Sequence, residues 1–231
     1  MRPFCGLATC VEVRHEREAA FYILMFLPLA AVLIALHFLP DQIPAHYDFD
    51  GQVTRWGSKY EALIFPAMTL LLGLIMLALT RFSSKQEETR SNNERVCLAV
   101  GIASMALLNA MTAYFLYTDF HAVQNLSAMA LDINQMMFGL LGIAMVVLGN
   151  IMPKLRMNSA VGLRTTWSMK NETTWRKSQR FGGISFIAGG AVTIVTCFLT
   201  RGTACFLWAM AILAALVAVD IGYTYSLSKR Y

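Results

Sequence analysis

Residues 183–226 read GISFIAGGAVTIVTCFLT, then RGT, then ACFLWAMAILAALVAVDIGYTYS. Each apolar part is close to the roughly 20 residues that an α-helix needs to cross about 30 Å of hydrocarbon, and the three residues between them allow only a tight turn. Four similar stretches precede this pair. The sequence therefore predicts an all-α integral membrane protein, a six-helix transmembrane bundle with spans at about 19–39, 60–80, 96–118, 133–152, 183–200 and 204–226.

The positions of lysine and arginine orient the predicted bundle. All 19 of these residues lie outside the six stretches, and the successive gaps hold 3, 2, 4, 0, 7, 1 and 2 of them. Cationic loops are retained on the cytoplasmic side of a membrane. We therefore expect both termini and a basic loop at 153–182 to be cytoplasmic, and a loop at 40–59 to face outward.

The composition argues against a separate soluble domain. With 57% apolar and 14% charged residues, the 231 residues are expected to form one membrane domain, 1–231. The net charge of +5 comes mainly from the predicted inner loops, so it indicates contact with anionic membrane lipids rather than direct nucleic acid binding. No cofactor is expected, because the five cysteines lack metal-ligand spacing.

The predicted outer loop has the pattern of a small β-hairpin. Polar and apolar side chains alternate from Ala45 to Asp50, and Asp50-Gly51 is a favoured turn pair, which predicts arms at Ile43–Phe49 and Gln52–Trp56. In an extended arm, His46, Asp48 and Asp50 would project to one side. They could form a divalent-metal site that recruits His121, or a solvated strand face. We adopt the solvated face, because no other ligand is forced nearby.

The predicted inner loop combines positive charge with aromatic residues. Trp167 and Trp175 lie among seven basic residues, as in segments that rest where lipid headgroups meet water. Asn171 could cap a lead-in helix that begins at Glu172 and precedes span five. A positively charged loop that serves only to set the topology is the alternative.

This loop resembles a known family. Residues 162–177, GLRTTWSMKNETTWRK, match the signature G-x-R-T-x-W-[ST]-x-x-[NS]-E-x-x-W-x-K of SdpI-like membrane proteins, and GNIMPK at 149–154 is similar to the G-N-x-x-P-K that ends a span there. The outer segment LPDQIPAH at 39–46, with Asp50-Gly51 and Gly57-Ser58-Lys59 after it, is similar to the domain of unknown function found at the N-terminus of the same proteins. The chain departs from the family at Thr166, where proline is usual, and at Ser178-Gln179, where Thr-His is usual.

The resemblance implies a role in immunity and signal transduction in the bacterial cytoplasmic (inner) membrane. The founding member protects a bacterium from a secreted peptide toxin and, when occupied, holds a transcriptional repressor at the membrane. Glu172 is expected to pair with Arg164 or to remain free for a basic partner. The residues expected to carry signalling or partner binding are Arg164, Thr165, Trp167, Asn171, Glu172 and Trp175, and those expected to carry outer recognition are Pro44, His46, Asp48, Gly51 and Lys59.

Polar and small residues within the spans give further expectations. Asn109 and Thr112 should bond between helices, and Asp220 should act as an anchor near the inner headgroups, bonded to inner-loop arginines or water, or have a function of its own. A small-residue face on span six should pack within the bundle or form a dimer seam; its members are Ala211, Ala214, Ala215, Ala218 and Gly222. Expected bend sites are Pro28, Pro66, Gly139, Gly142 and Gly149.

The residues bear on two other classes of function, an enzyme and a transporter. An enzyme is not expected, because the four histidines are dispersed and no H-E-x-x-H or serine-elbow pattern occurs. A small-molecule or ion transporter is the alternative, although broken helices and midplane polar groups are few.

Overall fold

The computed structural model describes residues 7–48, 50–83, 90–157 and 162–231. Six long helices account for most of them: α1 Leu7–Ala35, α2 Ile64–Ser83, α3 Arg90–Phe120, α4 Ile133–Ile151, α5 Glu172–Leu199 and α6 Gly202–Arg230. Each contains a segment long and apolar enough to cross a membrane. The predicted fold class, an all-α membrane protein with six transmembrane helices and a small β-hairpin, is confirmed.

The exterior of the bundle is apolar, as it must be in contact with lipid. Large side chains such as Ile34, Leu71, Phe198 and Leu207 are more than half exposed on the helix surfaces. So much exposed apolar surface would be unfavourable in water, whereas in the hydrocarbon of a membrane it is not. The helices therefore carry their hydrophobic residues on both the inside and the outside of the bundle.

The small-residue face of α6 lies on this exterior. Its five members are exposed, and a Cβ built on Gly222 would meet nothing within 4 Å among the described residues. The expectation that this face packs within the bundle is therefore wrong.

The closest helix packing lies between α4 and α5 and is made by glycine. A Cβ built on Gly190 would lie 2.6 Å from the carbonyl oxygen of Gly142, and one built on Gly149 would lie 2.6 Å from the carbonyl oxygen of Gly183. Because no Cβ atom tolerates such a distance, only glycine allows the two backbones to touch. Gly142 and Gly149 are therefore packing residues, which corrects their interpretation as bend sites.

Helix α5 continues well beyond the predicted fifth span. It begins at Glu172, and its 28 residues correspond to a length of about 42 Å. Asn171 caps it, because its side chain accepts a hydrogen bond from the backbone N–H of Thr174 while the Thr174 hydroxyl accepts one from the backbone N–H of Asn171. The predicted cap is confirmed, and the lead-in helix and span five form one continuous helix.

The predicted β-hairpin is also confirmed. Strand β1 (Gln42–Tyr47) pairs antiparallel with β2 (Val53–Ser58), and the pairing contains irregularities near His46. Gly51 adopts a φ of +79°, which a side chain would strain. The strand bounds differ from the predicted arms by one or two residues, and Phe49 lies outside the described residues.

Polar side chains inside the bundle give a mixed outcome. The Asn109 amide in α3 donates to the carbonyl oxygen of Leu24 in α1 at 2.8 Å, so the predicted interhelical bond is present. Thr112 donates instead to Leu108 of its own helix at 2.8 Å. A threonine hydroxyl in a helix can donate to the carbonyl oxygen four residues earlier, so the interhelical bond predicted for Thr112 is wrong.

We predict that a single methyl group in the glycine contact destabilises the bundle. Gly190→Ala places a Cβ against Gly142 and should cost about 1–3 kcal/mol, as overpacking does. The control is Gly139→Ala, where a Cβ meets nothing within 4 Å among the described residues, so stability should be unchanged or rise by about 0.5–1 kcal/mol. Thermal unfolding in detergent micelles measures both, and equal midpoints would contradict the assignment.

Candidate functional site

Two ends of the bundle are distinguished by their connections. The hairpin end carries β1, β2, the α3–α4 connection at 121–132 and the α5–α6 connection at 200–201, and the signature end carries residues 152–157 and 162–171. At the hairpin end, the carbonyl oxygen of Gly51 accepts from the N–H of Leu126 at 2.8 Å, and Val53 donates to Gln124 at 3.0 Å. The tip of the hairpin is thus fastened to the α3–α4 connection.

Asp132 and Gln135 fasten the remaining helices at the same end. The Asp132 carboxylate accepts from the N–H of Gln135 at 2.9 Å, which caps α4, and from the N–H of Gly202 at 2.9 Å, at the start of α6. The Gln135 amide donates to Cys197 at 2.7 Å and to Thr200 at 3.1 Å, at the end of α5. Two side chains therefore tie three helix ends together.

Beneath β1 lies a cavity of about 390 Å³. Strand β1 covers it, and α1, α2, α3 and the start of α4 supply its walls. Most of the lining is apolar, including Val32, Ile43, Phe65 and Leu116. This is the concave, mainly apolar type of space in which proteins bind organic ligands.

Asp119, near the end of α3, is the chemically distinctive residue of this cavity. It lines the cavity, it is only 4% exposed, and its carboxylate accepts no hydrogen bond from the described residues. The neighbouring Tyr47 hydroxyl donates to the carbonyl oxygen of Val123 at 2.9 Å. Burial raises the pKa of Tyr47, the negative charge of Asp119 raises it further, and hydrogen bonding by the Thr118 side chain lowers it in part. The phenol therefore stays protonated and acts as a donor.

The predicted outer-recognition residues all lie at the hairpin end. Pro44, His46 and Asp48 line the cavity, whereas Gly51 and Lys59 support the hairpin. Lys59 donates to Asp41 at 2.9 Å, and this hydrogen-bonded ammonium holds the pKa of Asp41 below its usual range. Three of the five residues thus line the cavity, and the other two stabilise the hairpin that covers it.

The His46, Asp48 and Asp50 set does not converge on a metal position. Asp48 accepts from the backbone N–H groups of Asp50 at 3.0 Å and Gln52 at 2.8 Å, and His46 Nδ1 lies 2.6 Å from the Thr54 hydroxyl. His121 stacks on Tyr117 instead. In the part of the chain that the structure describes, no group of three or more His, Cys, Asp or Glu side chains could hold a metal ion.

At the signature end, Gln179 shapes the loop before α5. Its buried amide donates to the carbonyl oxygen of Leu163 and accepts from the Leu163 N–H, each at 3.0 Å. Thr165 and Ser168 exchange hydrogen bonds between hydroxyl and N–H at 3.0 and 2.9 Å, which closes the following turn. The family departure at Gln179 therefore serves the backbone of the loop itself.

Trp175 is an interior residue rather than an interfacial one. It is 1% exposed, packs with Val96, Met152 and Leu155, and donates from Nε1 to the carbonyl oxygen of Leu155 at 3.0 Å. The expectation that it rests among lipid headgroups is wrong. Trp167 is half-buried, with its ring 5.2 Å from that of Tyr225 in an edge-to-face contact.

The exposed part of the signature is charged. Arg164 and Glu172 are both exposed, and no ion pair joins them within the described residues, so the expected pairing is not formed. Glu172 instead opens α5, where its charge favours the positive end of the helix dipole. Lys170 and Asn171 donate to the backbone of Ser228 and Tyr231 at 2.8 and 3.3 Å, which holds the end of α6 against the loop.

Asp220 is buried between helices rather than anchored at a surface. It is 2% exposed, and its Oδ1 accepts no hydrogen bond from any residue that the structure describes. The hydroxyl of Ser185 on α5 lies beside it without a hydrogen-bonding geometry. The expected bonds to inner-loop arginines are absent in this part of the chain.

The sequence did not single out Asp119 or Gln135, and it marked Gln179 only as a departure from the family signature. Asp119 lies at the edge of a predicted outer loop, where a charged side chain is expected in water. Gln135 lies inside predicted span four and Gln179 shortly before span five, and neither is charged. Only the capping spacing of Asp132 and Gln135, three residues apart before an apolar run, was a usable signal.

Six membrane helices, a docked hairpin and a capped signature loop define a multi-pass helical membrane protein with a cavity at the hairpin end. Residues 23–70 match the model of a domain of unknown function, DUF1648, and residues 154–224 match that of the SdpI/YfhL protein family. The resemblance found in the sequence is confirmed, because both of its parts match the family models expected for SdpI-like proteins.

A curated relative agrees with this assignment. The chain is 24% identical over 201 residues to the immunity protein SdpI of Bacillus subtilis (strain 168), an alignment that covers 84% of this chain and 88% of the relative. No solved structure shows significant similarity to the chain.

We predict that the Trp175 hydrogen bond stabilises the signature end. Trp175→Phe keeps most of the packing but leaves the Leu155 carbonyl without its donor, which should cost about 1–3 kcal/mol. Trp167→Phe is the matched control, because its aromatic contact with Tyr225 survives. Thermal unfolding should separate the two variants, and a Trp175→Phe protein as stable as the control would refute the role.

Proposed function

We propose that the protein confers immunity to a secreted peptide toxin by binding part of the toxin in the cavity at the hairpin end. The observation that carries this proposal is a ligand-sized cavity, about 390 Å³, beneath the region that matches the N-terminal domain, in a chain similar over most of its length to an immunity protein. The charge asymmetry of the loops supports an outward-facing hairpin end and cytoplasmic termini.

Binding at the hairpin end can reach the signature end through α4 and α5. Asp132 and Gln135 tie both helices to the hairpin end, and the glycine contacts join their backbones along the bundle. Two helices in backbone contact move as a unit, so a small shift at one end displaces the other. In this proposal the shift changes the presentation of the signature loop in the cytoplasm.

The exposed charges of the signature loop suit it to a protein partner. Arg164 and Glu172 are exposed and unpaired with each other, whereas Trp175 and Gln179 maintain the loop from within. A transcriptional repressor held at this surface would complete the signalling role. Thr165 and Asn171 contribute by closing the turn and capping α5.

Ion or small-molecule transport is the alternative, and one observation favours it. Asp119 and Asp220 are both buried within spans, and neither carboxylate accepts a hydrogen bond from the described residues. Buried acids mark ion paths in many membrane proteins. Flux in proteoliposomes that is abolished by Asp220→Asn would support transport, whereas protection without flux supports immunity.

We predict that filling the cavity abolishes protection. Ala62 lines the cavity, whereas Ala67, in α2, is exposed and does not line it. In a toxin-sensitive host challenged with secreted peptide toxins, Ala62→Phe should lower survival, because a loss of about 1.4 kcal/mol weakens binding about tenfold, and Ala67→Phe should leave survival unchanged.

Membrane abundance of each variant is measured by immunoblot alongside survival. Wild-type protein that protects against none of the toxins, or an Ala62→Phe variant that protects as well as wild type at equal abundance, would contradict the proposal. Arg164→Ala tests the signalling part separately, because it should spare protection and reduce repressor retention at the membrane.

A further inference from the structure

The carboxylate of Asp119 has no cationic or hydrogen-bonding partner in the described structure. It lies near the end of α3 with 4% of its surface exposed, and it borders the cavity. A largely buried carboxylate without a partner is costly, because it loses much of its hydration without a compensating hydrogen bond or ion pair. A cation or hydrogen-bond donor from outside the described residues would therefore stabilise the Asp119 carboxylate.

Two hydroxyl groups that line the cavity, and that of the residue preceding Asp119, already donate elsewhere. Thr112 donates to Leu108 at 2.8 Å, Thr118 donates to Phe115 at 2.7 Å, and Tyr47 donates to Val123 at 2.9 Å. Each of these groups has a single O–H hydrogen, and each hydrogen is used. None of the three can donate to Asp119 without giving up a bond to the backbone.

The other acids of the cavity are compensated. Glu61 receives both guanidinium nitrogens of Arg55, at 3.0 and 2.7 Å, and Asp48 receives two backbone N–H groups. Among the described lining residues there is no lysine or arginine. The cavity therefore combines three acids, of which only Asp119 lacks a donor, with walls that are otherwise mainly apolar.

We propose that this cavity binds a positively charged amino group carried on an aliphatic chain, with Asp119 as its counter-ion. The charge of the ligand would satisfy the carboxylate, and the aliphatic part would occupy the space between Val32, Phe65 and Leu116. The identity of the natural ligand rests on the proposed function: in the cell, the amino group would be a lysine side chain or the terminal amine of the toxin.

The site can be tested without any toxin. Octylammonium, octanol and octanoate share one chain and differ in charge, and they are titrated below their micellar concentrations into full-length protein in zwitterionic lipid nanodiscs. Isothermal calorimetry should show saturable binding of octylammonium, at least about tenfold tighter than that of octanol, since a buried charge pair outweighs a neutral contact by this much or more. Octanoate should show no saturable binding.

Two variants locate the effect. Asp119→Asn keeps the shape of the side chain and should remove the preference for octylammonium over octanol. Asp41→Asn is the matched control, because Asp41 is an exposed acid of the same end that pairs with Lys59 and does not line the cavity. Partitioning of the octyl compounds into the nanodisc lipid is the same for the wild-type, Asp119→Asn and Asp41→Asn proteins, so it cancels when their binding is compared.

The outcomes separate this inference from the immunity proposal. Wild-type protein that binds octanol as tightly as octylammonium overturns the inference without any variant, and so does an Asp119→Asn protein that keeps the preference. Saturable octylammonium binding in a protein that fails to protect cells upholds the site and overturns only its role in immunity.

Discussion

The contact on which the rest of the structure depends is the meeting of two glycine pairs between α4 and α5. Gly142 faces Gly190 and Gly149 faces Gly183 at distances that exclude any side chain. Without a hydrophobic driving force in lipid, such close backbone approach is what holds membrane helices together. It also explains the glycine and proline of the 149–154 motif, since a Cβ on Gly183 would lie 3.0 Å from Pro153 Cδ.

The helix pair connects two ends that differ in chemistry. At the hairpin end, Asp132 and Gln135 tie together the ends of α4, α5 and α6, next to a cavity with one uncompensated acid. At the signature end, Trp175 and Gln179 hold the loop that leads into α5. In the proposed function, ligand binding at one end and presentation of charged residues at the other would both act through the α4–α5 pair, which is how two distant sites can be coupled.

Features governed by local chemistry could be predicted from the sequence. The spans follow from length and hydropathy, the hairpin from alternation and Asp50-Gly51, and the start of α5 from the Asn171 cap. Features set by tertiary contacts could not. Trp175 looks interfacial among basic residues but packs inward, Thr112 bonds within its own helix, and the small face of α6 points outward. Asp119 becomes a buried cavity residue only because β1 packs over the end of α3, a tertiary contact that the sequence does not reveal.

The most direct test of the account asks whether the α4–α5 contact supports the signature loop. Hydrogen–deuterium exchange in nanodiscs would follow the amides of Leu163, Thr165 and Ser168, which donate to Gln179, Ser168 and Thr165. Gly149→Ala should accelerate their exchange relative to wild type, and Gly139→Ala should not. If the loop amides exchange at the wild-type rate in Gly149→Ala, the glycine contact does not hold the loop, and the coupling between the two ends must be abandoned.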